Sequence, residues 1–528
     1  MRTFVLCLAL VSTLMAQVTF DRLLNAHQEP ANWLTYSGGY QSWRYSTLDQ
    51  VTRDNVRNLR VKWAYQMPVT HFVETTPLVV DGIMYISEPP SNVVALDAET
   101  GRWFWRYQRT LPSRINVCCG QVNRGVAVLG DRVFVGTVDA HLVALDAKTG
   151  TVLWDVEVAD YRTGHSITVA PLIVKDMVIC GISGGEYGIR GFLDAYDAKT
   201  GKRRWRFWTI PAPGEPGSQS WTGNAWKTGG GPTWVTGSYD AAQNLIIWGT
   251  GNPSPDWNGD SRPGDNLYSD SAIALDADTG KLKWYFQFVP HDVHDWDAVQ
   301  VPVLVDAEWQ GRPRKLVYWA HRGGFYYVLD RETGAFLLGK PFATQTWAKG
   351  LDDKGRPIRL PNIDPSPEGT IIWPGVQGAT NWYSPSYSAA TRLFYLAVWE
   401  NRSVYRKGEQ EYSPGNRFIG SVPMIDLPDD PGHGAIRALN PLTGERVWEY
   451  RLHTKPWAGV LSTAGQLVFG GSDEGHFFAL DAASGKELWR LNTGGRIRAN
   501  PVTFLSNGKQ VLAVAAGSAI FTFALPGD

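Results

Sequence analysis

The chain has 528 residues, 43% hydrophobic, 12% aromatic and 19% charged, with a formal net charge of −1. That is an ordinary globular balance, and near-neutral charge without a basic run argues against nucleic acid as a partner. The length exceeds most single domains, but repeat architectures escape that prior.

From the N-terminus, MRTFVLCLALVSTLMAQ puts one Arg before an apolar run and a small residue at Ala16. This predicts a secretory signal peptide over 1–16, leaving 17–528 as one exported domain in a disulfide-permissive compartment. No later stretch is long and apolar enough to span a membrane. NLRVKWAYQ (58–66) reads as a returning strand without its turn.

One phrase then recurs: ALDAETGRWFW from Ala95, ALDAKTGTVLW from Ala144, AYDAKTGKRRW from Ala195, ALDADTGKLKW from Ala274, VLDRETGAFLL from Val328, ALNPLTGERVW from Ala438 and ALDAASGKELW from Ala479. Each predicts a strand ending in Asp or Asn, a tight Thr-Gly or Ser-Gly turn, and a returning strand that in most copies closes on Trp. Gly suits the turn because it takes positive φ at low steric cost. A repeat of about 40–50 residues carrying several strands is the signature of a β-propeller. Two gaps, 195–274 and 328–438, exceed one blade and hold insertions rich in Gly, Pro and Trp (211–234 and 340–375), expected to cover the mouth of a site. SYDAAQNLIIWGT (238–250) echoes SYSAATRLFYLAV (386–398), which sets the register of both long blades. The C-terminal VLAVAAGSAIFTFALP (511–526) reads as the strands that should precede 58–66. Pairing the two ends predicts an all-β, eight-bladed propeller closed by its N- and C-terminal strands, with no sticky edge. The repeated Trp rings would dock between blades, each burying about 150–250 Å².

The cysteines divide by position. Cys7 lies in the leader, and Cys180 in an apolar strand reads as a small buried hydrophobe. Cys118 and Cys119 are adjacent, which is compatible with two free thiols or with a strained disulfide of the kind found at functional sites. No CxxCH haem attachment, phosphate loop, dinucleotide fingerprint or nucleophile elbow is present. His291 and Asp292 lack a third partner at ligand spacing and read as structural.

The propeller motifs, the Cys-Cys pair, SGGE (183–186), GTGNPSP (249–255) and PHDVHDWD (290–297) together resemble the alcohol dehydrogenases that use pyrroloquinoline quinone (PQQ), the methanol and ethanol dehydrogenase family. The resemblance runs from about Trp43 to Leu525. It implies a vicinal disulfide at Cys118–Cys119, with Arg124 and Arg322 contacting the quinone and Thr168 bonding near its carboxylates. Ser183, Gly184 and Gly185 would run beside the cofactor, Trp234 would stack on it opposite the disulfide, and Asn381 and Trp457 would add contacts near the axis. Glu186, Asn252 and Asp295 would hold a metal, with Asp295 also the catalytic base that removes the alcohol proton as hydride passes to the metal-polarised quinone. Such oxygen-only ligation selects a hard cation and disfavours zinc or copper. Asp297, a second carboxylate two positions on, accompanies lanthanide(III) use in the family, and its absence accompanies Ca²⁺. His294 would either line the substrate pocket or satisfy a backbone carbonyl. The segment 351–369 would roof a pocket broad enough for ethanol or longer alcohols. The implied activity is periplasmic oxidation of primary alcohols to aldehydes, with electrons passed to a separate soluble cytochrome c and a homodimer compatible with the family. Oxidation of sugars or aldehydes, or a non-catalytic scaffold of the outer-membrane-assembly type, is the alternative.

Overall fold

A computed structural model describes residues 17–69, 72–421, 427 and 430–527; the signal-peptide prediction over 1–16 lies outside them. Eight four-stranded antiparallel units form the ring, one of them extended by a parallel strand, Tyr45–Ser46, beside Leu461–Thr463. In seven of them the strands follow chain order from the innermost outwards, as in Leu172–Val174, Met177–Gly181, Phe192–Asp197 and Arg203–Trp208. The eighth joins the two ends: Arg60–Gln66 pairs antiparallel with Ala519–Ala524, which continues to Lys509–Ala516 and Val502–Ser506. The predicted closure is therefore the observed one.

The recurrent phrase makes the joints between blades. Gly101, Gly150, Gly201, Gly280, Gly334 and Gly485 all have positive φ, and a Cβ at each would strike the ring of Trp63, Trp105, Trp154, Trp205, Trp284 or Trp448 of the preceding blade. The indole N–H donates to the carbonyl after the motif's Asp: Trp63 to Ala98 at 3.2 Å, Trp105 to Ala147 at 3.0 Å, and Trp284 to Arg331 at 3.0 Å. Glycine is needed twice over at these positions, for the turn and for the ring lying flat on it. One joint differs. The motif VLDRETGAFLL closes on Leu338, and there the Tyr326 hydroxyl of the same blade donates instead, to Pro441 O at 3.1 Å.

The segment 18–46 laces the blades together. Val18 bridges Gly130, Trp33 bridges Val79, and Tyr40 Oη donates to Ile173 O at 2.6 Å. Backbone carbonyls of Ala31, Tyr40, Gln41, Trp43 and Arg44 accept from Leu505, Tyr239, Leu304, Tyr387 and Ser462. Every blade is touched. No helix among the described residues is long and apolar enough to cross a membrane.

Candidate active site

The ring delivers side chains to its hub in two tiers. The first comes from segments that lead into each innermost strand. Glu74, Arg124, Thr168, Trp234, Asn381, Trp457 and Arg498 each stand three to five residues before such a strand, and Asp295 stands eight before Val303. The second tier comes from turns after the second strand of three successive blades, which carry Ser183 to Glu186, Asn252 and Arg322.

Together they line a cavity of about 250 Å³ that contains every predicted site residue except Gly185 and Asn252, which stand just behind its wall. Asn252 is buried, and a Cβ on Gly185 would lie 2.7 Å from Asn252 Oδ1. Phe72, Glu74, Val122, Gln377, Trp382 and Arg498 also line the cavity and were missed. Trp382 adjoins the motif residue Asn381; the others belong to no repeated phrase.

Cys118 and Cys119 are joined by a disulfide, which settles the two readings of the pair. Both sulfurs and a Glu186 carboxylate oxygen lie within 4.8 Å of one another, so the disulfide and the carboxylate share one wall. A disulfide offers no thiolate, and the group is not a soft-metal site. Arg124 donates to Thr168 Oγ1 at 2.9 Å, pairs with Glu74 at 2.8 Å, and lies 4.7 Å from the ring centres of both Trp234 and Trp382. Thr168 Oγ1 is 2.8 Å from Ser183 Oγ. Asn381 Nδ2 donates to Gln377 O at 2.9 Å. At the mouth, the Arg498 guanidinium lies 4.0 Å over half-exposed Phe72 and 4.9 Å from Trp457.

Asp295 is held in the left-handed region at φ 60°, uncommon for a residue with a Cβ. Asp292 explains how. Its Oδ1 accepts from His294 N and its Oδ2 from Trp296 N, each at 3.0 Å, so one buried carboxylate clamps the turn on both sides of Asp295. Asp292 is thus structural, as is His291, whose Nδ1 lies 3.0 Å from Gly264 O. His294 Nε2 sits 2.9 Å from Ile363 O, and its ring stacks on Trp296 at 4.4 Å. The carbonyl-satisfying reading of His294 therefore matches its position. Ile363 belongs to the 340–375 excursion, none of whose residues lines the cavity. That excursion buttresses the Asp295 turn from behind and does not roof the pocket as expected, because its buried Ile363 and Trp347 pack on the Trp296 side. Of the 211–234 insertion, only Trp234 reaches the cavity.

The electrostatics are lopsided. Asp297 accepts from Asn252 N at 2.7 Å through Oδ1 and pairs with Arg322 through Oδ2; Arg322 Nη2 is 3.8 Å from Asp295. Burial, followed by Asp297, pushes the Glu186 carboxyl up to about 7. Burial likewise raises Asp295 well above the usual range against the opposing pull of Arg322, with Asp297 and Glu186 adding to the rise. Asp256 is raised by burial and then by Asp295, and Asp297 by burial against Arg322. Arg322 thus acts on three of these four buried carboxylates, Glu186, Asp295 and Asp297, while Arg262 acts on Asp256 and Arg417 on Glu186. Asp256 Oδ2 is buried without a partner. Buried uncompensated carboxylates are strongly unfavourable unless a cation joins them. The donor set is oxygen only, so it fits a hard multivalent ion. Trp234, the disulfide, Arg124 and Arg322 line the same cavity, and an aromatic face with two cationic forks suits a planar anion.

A propeller whose hub combines an oxygen-donor cluster with an indole and disulfide cleft defines a quinoprotein class. Comparison with known proteins agrees. The family described as glucose/ethanol/alcohol dehydrogenase, beta-propeller domain, matches residues 33–340, and that of the outer membrane protein assembly factor BamB matches 432–525. The chain is 38% identical to the quinoprotein alcohol dehydrogenase PedH of Pseudomonas putida, over 95% of its own length and 89% of the relative's. It is 35% identical to the lanthanide-dependent methanol dehydrogenase of Methylacidiphilum fumariolicum, over 98% and 89%. A europium-containing methanol dehydrogenase structure superposes with a TM-score of 0.90 at 34% identity, covering 96% of this chain and all of the other. The chain belongs to the PQQ-dependent alcohol dehydrogenase family.

Proposed function

We propose that this chain is a periplasmic enzyme that oxidises primary alcohols to aldehydes, holds a lanthanide(III) ion in preference to Ca²⁺, and passes its electrons to a soluble cytochrome c. The observation that carries the reading is the convergence of Glu186, Asn252, Asp295 and Asp297 beside Arg322 and the disulfide wall. When bound, the quinone supplies a two-electron acceptor at carbon, and the cation supplies Lewis acidity to polarise it.

The rest falls to the protein. Trp234 and the Cys118–Cys119 disulfide would hold the quinone, and Arg124 and Arg322 would supply cationic donors to it. Ser183, Gly184 and Gly185 make the thin edge of the cleft; a Cβ on Gly184 would lie 2.3 Å from Gly164 O. Asp295 takes the hydroxyl proton of the alcohol onto its carboxylate, and general-base assistance of this kind is worth about 10²–10⁴ in rate. Arg322, 3.8 Å from Asp295 and paired with Asp297, opposes the upward shift that burial gives the base. Asp297 would add a negative oxygen ligand suited to a trivalent ion, a preference supported by the similarity to a lanthanide-dependent and a europium-containing methanol dehydrogenase.

Reconstitution of the purified chain with PQQ plus La³⁺ or Ca²⁺ tests the proposal. The expected result is quinone absorbance in the protein fraction and alcohol-dependent dye reduction, faster with La³⁺. Neither signal with either ion would defeat it. N-terminal sequencing of exported protein, expected to begin at Gln17, checks the compartment.

A further inference from the structure

One carboxylate of the cluster has no task in the mechanism above. Asp256, four residues beyond Asn252, is fully buried. Its Oδ1 accepts from Asn252 Nδ2 at 2.9 Å, while its Oδ2 has no hydrogen-bond partner. The nearest guanidinium does not serve it. Arg262 donates to Pro255 O at 2.8 Å, Asp292 O at 2.7 Å and Asn266 Oδ1 at 2.8 Å. Those bonds fasten the Asn252 loop to the Asp295 loop, and Arg262 acts on Asp256 through space without a hydrogen bond to it. Asn252 links Asp256 to the cluster, since the same residue donates its backbone N–H to Asp297 Oδ1 at 2.7 Å, and Asp295, Glu186 and Asp297 all act on Asp256 electrostatically.

A carboxamide has one donor end and one acceptor end. With Nδ2 committed to Asp256, the Asn252 oxygen must point the other way, to where a Cβ on Gly185 would lie 2.7 Å from it, next to Glu186. We propose that Asp256 is a positioning residue of the cation site: it fixes the Asn252 amide with its oxygen towards Glu186, and its buried charge favours a trivalent over a divalent ion. This rests on the proposed function, since it assumes that a cation occupies the cluster. The charge argument is simple: a fixed negative charge attracts a 3+ ion half as strongly again as a 2+ ion at the same distance, and low polarisability of the surroundings enlarges the difference.

The test compares the full-length wild type with Asp256→Asn and Asp256→Ala, titrated with Tb³⁺ by Trp-sensitised luminescence and with Ca²⁺ by calorimetry. Asp256→Asn keeps an acceptor for the Asn252 amide but loses the charge. It is expected to weaken Tb³⁺ about tenfold or more and Ca²⁺ by less than about threefold, because ligand charge count tunes affinity. Asp256→Ala frees the amide to rotate and is expected to weaken both ions about tenfold or more. The metal-free Asp256→Asn chain should melt no lower than wild type, since the acceptor for Asn252 is kept and no hydrogen bond is lost at the other oxygen. An unchanged Tb³⁺ to Ca²⁺ affinity ratio in Asp256→Asn, or a lower metal-free melting temperature, overturns this inference alone. A wild type that binds neither ion overturns it together with the reading of the site.

Discussion

The rim and the hub of this ring obey opposite rules. At the rim, blade after blade repeats one joint, a Trp ring on a positive-φ Gly with its N–H on the neighbouring carbonyl, as in Trp105 on Gly150 and Trp284 on Gly334. At the hub no two blades contribute alike: one offers Arg124, another Thr168 with Glu186, another Trp234 with Asn252, another Asp295, Asp297 and Arg322. Repetition secures the scaffold, and departure from repetition makes the chemistry. The Tyr326–Pro441 joint shows that even the rim conserves the hydrogen bond when it loses the indole.

If the two regions are separable, changes in one should leave the other alone. The largest effect belongs to Asp295→Asn, which should lower kcat by about 10³-fold or more with PQQ still bound and the melting temperature nearly unchanged; dye-linked alcohol oxidation and quinone absorbance check both halves. Next, Trp284→Ala removes a buried rim ring and should lower stability by about 3–5 kcal/mol, read by denaturant titration. Its rate per folded, quinone-loaded molecule should stay at the wild-type value; a large loss there would mean that rim and hub are coupled. Asp297→Ala should cut lanthanide-supported activity by about 10²-fold, roughly one strong charged ligand, while Ca²⁺-supported activity holds or improves. Equal losses with both ions would show that Asp297 serves Arg322 and not the metal. The smallest effect is Tyr326→Phe, which deletes one buried hydrogen bond and should lower stability by about 1 kcal/mol with no kinetic change.

The rim was legible in the sequence because each joint is written within eleven consecutive residues. Ring closure was legible too, since 58–66 and 511–526 are complementary halves of one blade. The motif-borne hub residues could be named from resemblance, but not their mutual geometry. What escaped had no local signature. Glu74 matters only because Arg124, fifty residues away, lies against it, and His294 is assigned by a carbonyl 69 residues on. Asp256 directly follows the quoted GTGNPSP phrase, yet only burial and an unsatisfied oxygen mark it. The 340–375 excursion was misjudged because a loop's Gly, Pro and Trp content does not say towards which side it folds.

The lacing segment carries a consequence for biogenesis. Its Arg44 is fully buried and donates to Pro501 O at 2.5 Å across 457 positions of chain, and Ala31 is bound by Leu505. Arg44 therefore reaches one of its final partners only after a further 457 positions have been made. The ring cannot close until residues 502–524 have been made, and pairing over such separations is slow.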